Sequence, residues 1–248
     1  MTTVLIAGVF GKMGKTVTQM IAGTADLQVV AGLANGEADT AAFPVFQRLD
    51  AITVTADVWL DFTVPAAARV NAEYALTHGM DAVIGTSGMT PADFDALGQL
   101  AQQQGRHILI VPNFAISAVL MMQFAAKAAQ YFPDAEVVEA HHSDKLDAPS
   151  GTARATAQAI SAARKAAPLA PHQDAPARGE WIDDVPVHAL RLPGYVAQEE
   201  VYFGGPGESL TVSQVSFDRS SFMGGVALAL RHVQHLPDSL TVGLDRLL

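Results

Sequence analysis

The sequence predicts an α/β protein: an N-terminal Rossmann-like, doubly wound parallel sheet, then an α+β domain with an open mixed sheet. Three observations carry this. Short apolar runs alternate with helix-compatible stretches through the first 110 residues or so, the rhythm of βαβ units. A glycine-rich turn joins the first run directly to the first helix. Near Pro112 the alternation stops, and long helical patterns and a cluster of strand-like runs take over.

Val4 to Val9 is an unbroken apolar run, and Lys12 to Ala22 follows it as a helix, so the chain opens as strand, tight turn, helix. Leu27–Leu33, Ile52–Val54, Val58–Phe62, Ala82–Ile84 and Ile108–Val111 are further strand candidates. Helical patterns cover Ala66–His78 and Pro91–Gln104, the second with Thr90 as N-cap and Pro91 at the first helical position. A boundary at about Asn113 divides a doubly wound domain, 1–112, from an α+β domain, 113–220, and the last segment, 221–248, is expected to return to the first domain. Within the second domain come an apolar helix from about Ser117 to Phe132, a strand running into Glu139–His142 and a helix from Thr152 to Lys165. Ala166–Gly179 carries Pro168, Pro171 and Pro176 and reads as loop or lid. Val187–Leu192, Tyr195–Phe203 and Ser209–Phe217 are strands, the last two joined by Gly204-Gly205-Pro206-Gly207, and Phe222–His232 is a helix.

The chain has 248 residues, 50% of them hydrophobic and 16% charged, with 25 acidic against 15 basic side chains and a net charge of −10. A chain of this length and composition builds a core without metal or disulfide. Its acid excess and lack of a basic run argue against nucleic acid as a partner. It has no cysteine, which excludes disulfides, thiolate zinc sites and a cysteine nucleophile and accords with a reducing cytoplasm. No apolar run reaches membrane-spanning length, and no basic region precedes the first apolar run, so neither a membrane span nor a signal peptide is expected.

Gly8-Val9-Phe10-Gly11-Lys12-Met13-Gly14 is a GxxGxxG variant placed between a strand and a helix. Gly8 makes the turn, Gly11 bares backbone N–H groups to a pyrophosphate, and Gly14 permits close helix–strand packing, so a dinucleotide is the expected ligand. The second strand ends in Leu33-Ala34-Asn35-Gly36-Glu37, with neither an acid for ribose hydroxyls nor an arginine for a 2′-phosphate at its tip. Glu37, Asp39 or Lys12 are candidates from the turns, and the choice between NADH and NADPH stays open. Asp61-Phe62-Thr63 and Gly85-Thr86-Ser87-Gly88 end later strands, on the sheet edge where ligands of doubly wound folds lie; they are either cofactor contacts or ordinary capped turns.

The densest chemistry is Glu139-Ala140-His141-His142-Ser143-Asp144-Lys145-Leu146-Asp147-Ala148-Pro149-Ser150-Gly151-Thr152-Ala153, joining a strand to a helix. Lys145 is a fixed cation, and a histidine here holds or releases a proton near neutral pH, so the segment offers an anion clamp and a general acid. Ser150-Gly151-Thr152 starts a helix whose N–H groups and hydroxyls suit a carboxylate. Adjacent histidines on a strand point to opposite faces, so no metal site is expected. Asp144 and Asp147 either orient the histidines or shape the loop.

These residues resemble those of the 4-hydroxy-tetrahydrodipicolinate reductase (dihydrodipicolinate reductase) family of the diaminopimelate route to lysine. The likeness spans the chain and rests on Gly8–Gly14, Asp61–Thr63, Gly85–Gly88, Pro112-Asn113-Phe114, the run Glu139–Ala153, and Arg219, Phe222 and Gly225. It implies a cytoplasmic, NADPH- and/or NADH-dependent oxidoreductase acting on a cyclic dicarboxylate, assembled as a homotetramer. By motif, His141 would be the proton donor and Lys145 a second acid and substrate anchor. His142, Ser150, Gly151 and Thr152 would hold the substrate. Gly8, Val9, Phe10, Gly11, Lys12, Met13, Gly85, Thr86, Ser87, Val111, Pro112, Asn113 and Phe114 would line the cofactor. Three departures stand out: the loop after the second strand lacks a Glu-Arg pair, Ser87 stands where threonine is common, and Glu199-Glu200 replaces a Glu-His pairing, which either alters the edge of the substrate pocket or, as is rather expected, is an exposed strand with two acids. Another two-domain nicotinamide dehydrogenase of amino-acid metabolism, or a non-catalytic dinucleotide-sensing module, would share the glycine turn. Neither accounts for the His-His-Lys-Ser-Gly-Thr run.

Overall fold

In a computed structural model, which describes residues 1–36, 41–86, 88–169 and 175–248, the first half alternates strand and helix. β1 (Thr2–Ala7) leads through the glycine turn into α1 (Lys12–Ala22), then β2 (Leu27–Leu33) and the two-residue β3 (Val45–Phe46). β4 (Val58–Asp61), α2 (Pro65–Thr77), β5 (Asp81–Ile84), α3 (Pro91–Gln104) and β6 (Ile108–Ile110) follow. Val4 to Ala7, Val58 to Asp61 and Ala82 to Ile84 are fully inaccessible to solvent, as strands covered on both faces must be, and this is why they read as apolar runs rather than alternating ones. Leu5, Ala7, Trp59, Ala82 and Ile84 share a core cluster with Ala68, Ala72, Ala75 and Leu76 of α2 and Leu97 and Ala101 of α3. α3 begins with a reciprocal capping box between Thr90 and Asp93, with Pro91 in the first turn.

The expected strand at Ile52–Val54 is not one. Leu49–Ala51 forms a 3-10 turn, and Ile52 and Val54 pack their side chains onto the core cluster without joining the sheet. Their alternation records half-burial, which a packed loop shares with a strand.

The second unit begins with α4 (Ile116–Ala129), β7 (Asp134–His141) and α5 (Gly151–Ala163), then β8 (Glu180–Ile182), β9 (Val185–Arg191), β10 (Ala197–Gly205) and β11 (Glu208–Ser216). Its sheet runs β11-β10-β7-β9-β8 and is mixed, because β9 lies parallel to β7 while the other neighbours are antiparallel. Ala135 and Val137 of β7, Val185 and Val187 of β9, and Val201 and Phe203 of β10 form one core with Ala125 and Ala129 of α4 and Ala153, Ala157 and Ile160 of α5. By the two-residue period Glu139, His141, Glu199 and Arg191 lie on this helix-covered face. On the opposite face Leu190, Tyr202 and Val215 are exposed. The loop expected over Ala166–Gly179 falls partly on residues 170–174, outside the described ones; its described end holds a 3-10 turn, Pro176–Arg178, tied to the outer face by an ion pair from Arg178 to Glu136.

The chain then re-enters the first unit through α6 (Met223–His232), and β12 (Leu240–Val242) pairs parallel with β6. The sheet order is β12-β6-β5-β4-β1-β2-β3, with every neighbouring pair parallel. The order reverses at β1: β2 and β3 lie on one side, β4 and its successors on the other. The crevice outside the carboxyl ends of β1 and β4 is therefore the topological switch point of the sheet. The chain thus folds as two compact units, one of Met1–Phe114 with Phe222–Leu248 and a second of Ala115–Ser221.

Candidate active site

At the switch point the glycine turn is held by its neighbours on both sides. Gly8 has φ +79° and a side chain there would strike the Phe62 carbonyl oxygen at 2.5 Å, so only glycine meets both demands. Its N–H donates to the Leu33 carbonyl and its own carbonyl accepts from Gly11 N–H. A Cβ on Gly14 would lie 2.2 Å from the Gly8 oxygen, which explains the third glycine as close packing of α1 onto the turn. Gly11 is the N-cap of α1 and supplies no side-chain cap, leaving the first-turn N–H groups for an anion. A dinucleotide pyrophosphate fits this cradle. Val9 is buried and offers a ligand only its backbone, whereas Lys12 is exposed and Phe10 and Met13 half-buried.

The end of β4 is organised by Asp61, which is wholly buried. Its carboxylate accepts from Asn71 Nδ2 at 2.8 Å, Trp59 Nε1 at 3.2 Å, Thr63 N and Oγ1 at 2.9 and 2.6 Å, and Thr86 Oγ1 at 3.0 Å. One acid thus fixes both hydroxyl residues that end β4 and β5. Next to them, a side chain on Gly85 would collide with the Phe62 and Phe114 rings, which meet at a tilt with 5.6 Å between centroids. Thr86, Val111 and Phe114 are buried and Pro112 is exposed. Ser87, Glu37 and Asp39 lie outside the described residues.

In the second unit, β7 delivers His141 at its last position and α5 starts at Gly151. Between them two imidazoles and an ammonium each hold an acid two residues away. His141 Nδ1 meets Glu139 Oε2 at 2.5 Å, His142 Nδ1 meets Asp144 Oδ1 at 2.6 Å, and Lys145 Nζ donates to both Asp147 oxygens at 2.7 and 2.9 Å. The two histidines thus serve different carboxylates. Ser150 caps α5, its Oγ accepting from Ala153 N at 3.2 Å, which leaves the hydroxyl hydrogen free to donate. Nothing stands within 4 Å of the place a Gly151 side chain would occupy; the helix entrance is open there for a reason other than packing.

Glu139 and Arg191 have roles that the sequence pattern does not reveal. Glu139 is inaccessible and accepts four hydrogen bonds: from His141, from Arg191 Nη1 and Nη2 at 2.8 Å each, and from Ser150 N at 3.0 Å. Burial by itself raises its pKa, but the bonds from His141, Arg191 and the Ser150 amide outweigh it and bring the carboxyl down to about 2. Lys145 holds the Asp147 carboxyl below its ordinary range.

Glu199 overturns the expectation of an exposed strand with two acids. It stands directly opposite Glu139 across the β7–β10 ladder, is 3% exposed, and its Oε1 has no hydrogen-bond partner. Burial, reinforced by the Glu139 charge and only partly offset by the Thr156 hydroxyl, pushes its pKa up to about 7. Glu200, one residue on, points to the outer face, where it bonds Gln198 and Tyr202.

A doubly wound parallel sheet with a glycine cradle at its switch point, joined in one chain to a unit bearing an acid–base segment, defines a two-domain nicotinamide-dependent oxidoreductase of the Rossmann type. Family models described as dihydrodipicolinate reductase, N-terminus, and dihydrodipicolinate reductase, C-terminus, match residues 2–114 and 117–248. The chain belongs to the dihydrodipicolinate reductase family and is an NAD(P)H-dependent oxidoreductase. It is 48% identical over 260 residues to the 4-hydroxy-tetrahydrodipicolinate reductase of Enterococcus faecalis and 46% identical over 263 residues to that of Lactiplantibacillus plantarum, with 100% of both chains covered in each case. A dipicolinate-bound dihydrodipicolinate reductase from Paenisporosarcina sp. TG-14 superposes with a TM-score of 0.88 at 36% identity, covering 100% of each chain. Aspartate dehydrogenase from Thermotoga maritima, at 10% identity and a TM-score of 0.54 over 94% of this chain and 97% of that one, shares the fold alone. No helix among the described residues is long and apolar enough to cross a membrane.

Proposed function

We propose that the chain reduces 4-hydroxy-tetrahydrodipicolinate to tetrahydrodipicolinate and water with NADPH or NADH, in the diaminopimelate route to lysine. The observation that carries this reading is the gathering, on one strand–turn–helix segment, of an imidazole, an ammonium and an open helix entrance. A cyclic dicarboxylate brings two negative charges, and the segment has two places for them. Lys145 and His142 take one carboxylate by exchanging their exposed partners for it. The Ser150 hydroxyl and the first-turn backbone of Gly151 and Thr152 take the other, with the α5 dipole adding to the attraction.

Loss of the ring hydroxyl with a neighbouring C–H proton, as water, leaves a conjugated dihydro ring, and reduced nicotinamide, when bound, would supply the hydride to it. The electron pair that this addition displaces in the ring needs a proton, and His141 delivers it from Nε2, the ring nitrogen not engaged by Glu139. Lys145, beside the same substrate, is the second acid. On the first unit, Gly8 to Met13 hold the pyrophosphate, while Gly85, Thr86 and Ser87 and the segment Val111 to Phe114 line the rest of the cofactor. The Asp61 network supports this by fixing Thr63 and Thr86 ahead of binding. The first unit is accordingly the dinucleotide-binding domain and the second the substrate domain. The second also assembles a homotetramer through its uncovered sheet face, and the cysteine-free composition suits a cytoplasmic enzyme.

The test is a coupled assay with substrate generated in place, following oxidation of each reduced cofactor in parallel. Oxidation dependent on the hydroxylated dicarboxylate is expected; tight dinucleotide binding without turnover of it would refute the reading.

A further inference from the structure

We infer that the buried Glu139–Arg191 ion pair is the positioning element of the site: it fixes the aim and tautomer of His141 and ties that imidazole to the Lys145 loop and to the first turn of α5. The inference rests on the reading above that His141 donates the proton, and it adds what holds the donor in place. Of the three acids that engage cationic groups in the segment, Asp144 and Asp147 have side chains 82% and 59% exposed, while Glu139 is at 0%. The first two can be exchanged for a ligand carboxylate. Glu139 cannot, because four donors fill the lone-pair positions of its two oxygens and nothing is left to offer a substrate.

Those donors come from three different parts of the site. His141 is the last residue of β7, Ser150 N–H belongs to the N-cap of α5, and Arg191 ends β9, in register with His141. Arg191 reaches further: Nη2 also donates to the Asp147 carbonyl at 2.6 Å, on the loop whose Asp147 side chain grips Lys145. One guanidinium and one carboxylate therefore set the spacing between the imidazole, the ammonium and the helix entrance. A carboxylate against Nδ1 keeps a proton on that nitrogen in both charge states of the ring, so that Nε2 is the nitrogen that gains and loses one. Charged Arg191 and the Ser150 amide keep Glu139 an acceptor in that contact. Glu199 faces the pair from β10 and is the other titratable group packed against it on this face.

The test combines imidazole 15N NMR on the free protein with steady-state kinetics. In the unsubstituted protein the neutral His141 ring is expected as the Nδ1–H tautomer. In Glu139→Gln it is expected to revert to the intrinsically preferred Nε2–H form, with His142 unchanged, and kcat is expected to fall about 10²-fold with little change in KM. Arg191→Lys keeps the charge but loses the fork; the substrate KM should rise roughly fivefold as the Asp147 carbonyl is released. Should Glu139→Gln fail to fold, the double variant Glu139→Gln/Arg191→Met leaves no unpaired buried charge and is read for the same tautomer change. A His141 tautomer unaltered by loss of the Glu139 charge overturns the inference, and an unchanged KM in Arg191→Lys overturns its loop half. Reversion of the tautomer with kcat intact supports the positioning role and instead removes His141 as proton donor.

Discussion

His141, His142 and Lys145 each meet an acid two residues away, and burial separates what those pairs do. The Lys145–Asp147 pair joins a half-buried ammonium to an exposed carboxylate and is worth little by itself, yet a substrate carboxylate must displace Asp147 from it. Asp147→Asn is therefore expected to lower the substrate KM about two- to threefold, and Lys145→Ala to raise it tenfold or more, about 1.4 kcal/mol; equal KM values in all three forms would rule out competition at that ammonium. His141→Ala should lower kcat by about 10²–10⁴ with KM nearly constant, and parallel changes in both would point to binding instead. Glu199 gives a prediction about stability. Its folded pKa of about 7 lies above the unfolded value of about 4.3, so the folded state keeps a proton that the unfolded chain releases. Stability falls as pH rises between those two values and levels off above the higher one. Glu139 acts with the opposite sign, its contribution being lost only as pH drops from the unfolded value towards about 2. Glu199→Gln should thus be more stable than the parent by about 3–4 kcal/mol near pH 8 and nearly equal to it below about pH 5. Denaturant midpoints at the two pH values test this; a constant difference would mean that Glu199 does not titrate in that window.

At the scale of elements, two glycines at helix starts look alike in the sequence and differ in the fold. Gly14→Ala forces a Cβ against the Gly8 carbonyl at 2.2 Å and is expected to cost a few kcal/mol of stability along with dinucleotide affinity. Gly151→Ala meets nothing within 4 Å, so thermal unfolding should be unchanged or slightly raised while substrate KM rises. Loss of stability in Gly151→Ala would make that glycine structural. The parallel strands of the first unit were legible because burial on both faces writes an unbroken apolar run, and α3 because Thr90-Pro91 with Asp93 is a complete start signal. β3, β8 and β12 have only two or three residues each, too few to establish a period of two, and Ile52–Val54 imitated one by packing from a loop. In the site, contiguous His141 to Thr152 could be read as a run. Arg191 could not, since it is brought to Glu139 by the parallel pairing of β9 with β7 across 52 residues, and Glu199 resembled its half-buried neighbour Glu200 until the strand placed them on opposite faces.

For the molecule as a whole, the second sheet buries one face under α4 and α5 and leaves Leu190, Tyr202 and Val215 on the other. Large exposed side chains on one sheet face are a cost in water that the self-association proposed above would remove. If the chain assembles through this face as proposed above, Val215→Arg together with Leu190→Arg is expected to lower the mass found by light scattering after size exclusion, with the helical signal intact; an unchanged mass would refute that assembly. Another consequence lies in the connectivity. The first sheet is closed by β12, and residues 115–221 intervene between β6 and the segment that completes it. During synthesis the inserted unit has all of its strands available while β6 still presents a bare hydrogen-bonding edge. The segment Phe222–Leu248 thus acts as the clasp of the nucleotide-binding sheet, supplied only after the whole of the inserted unit has been made.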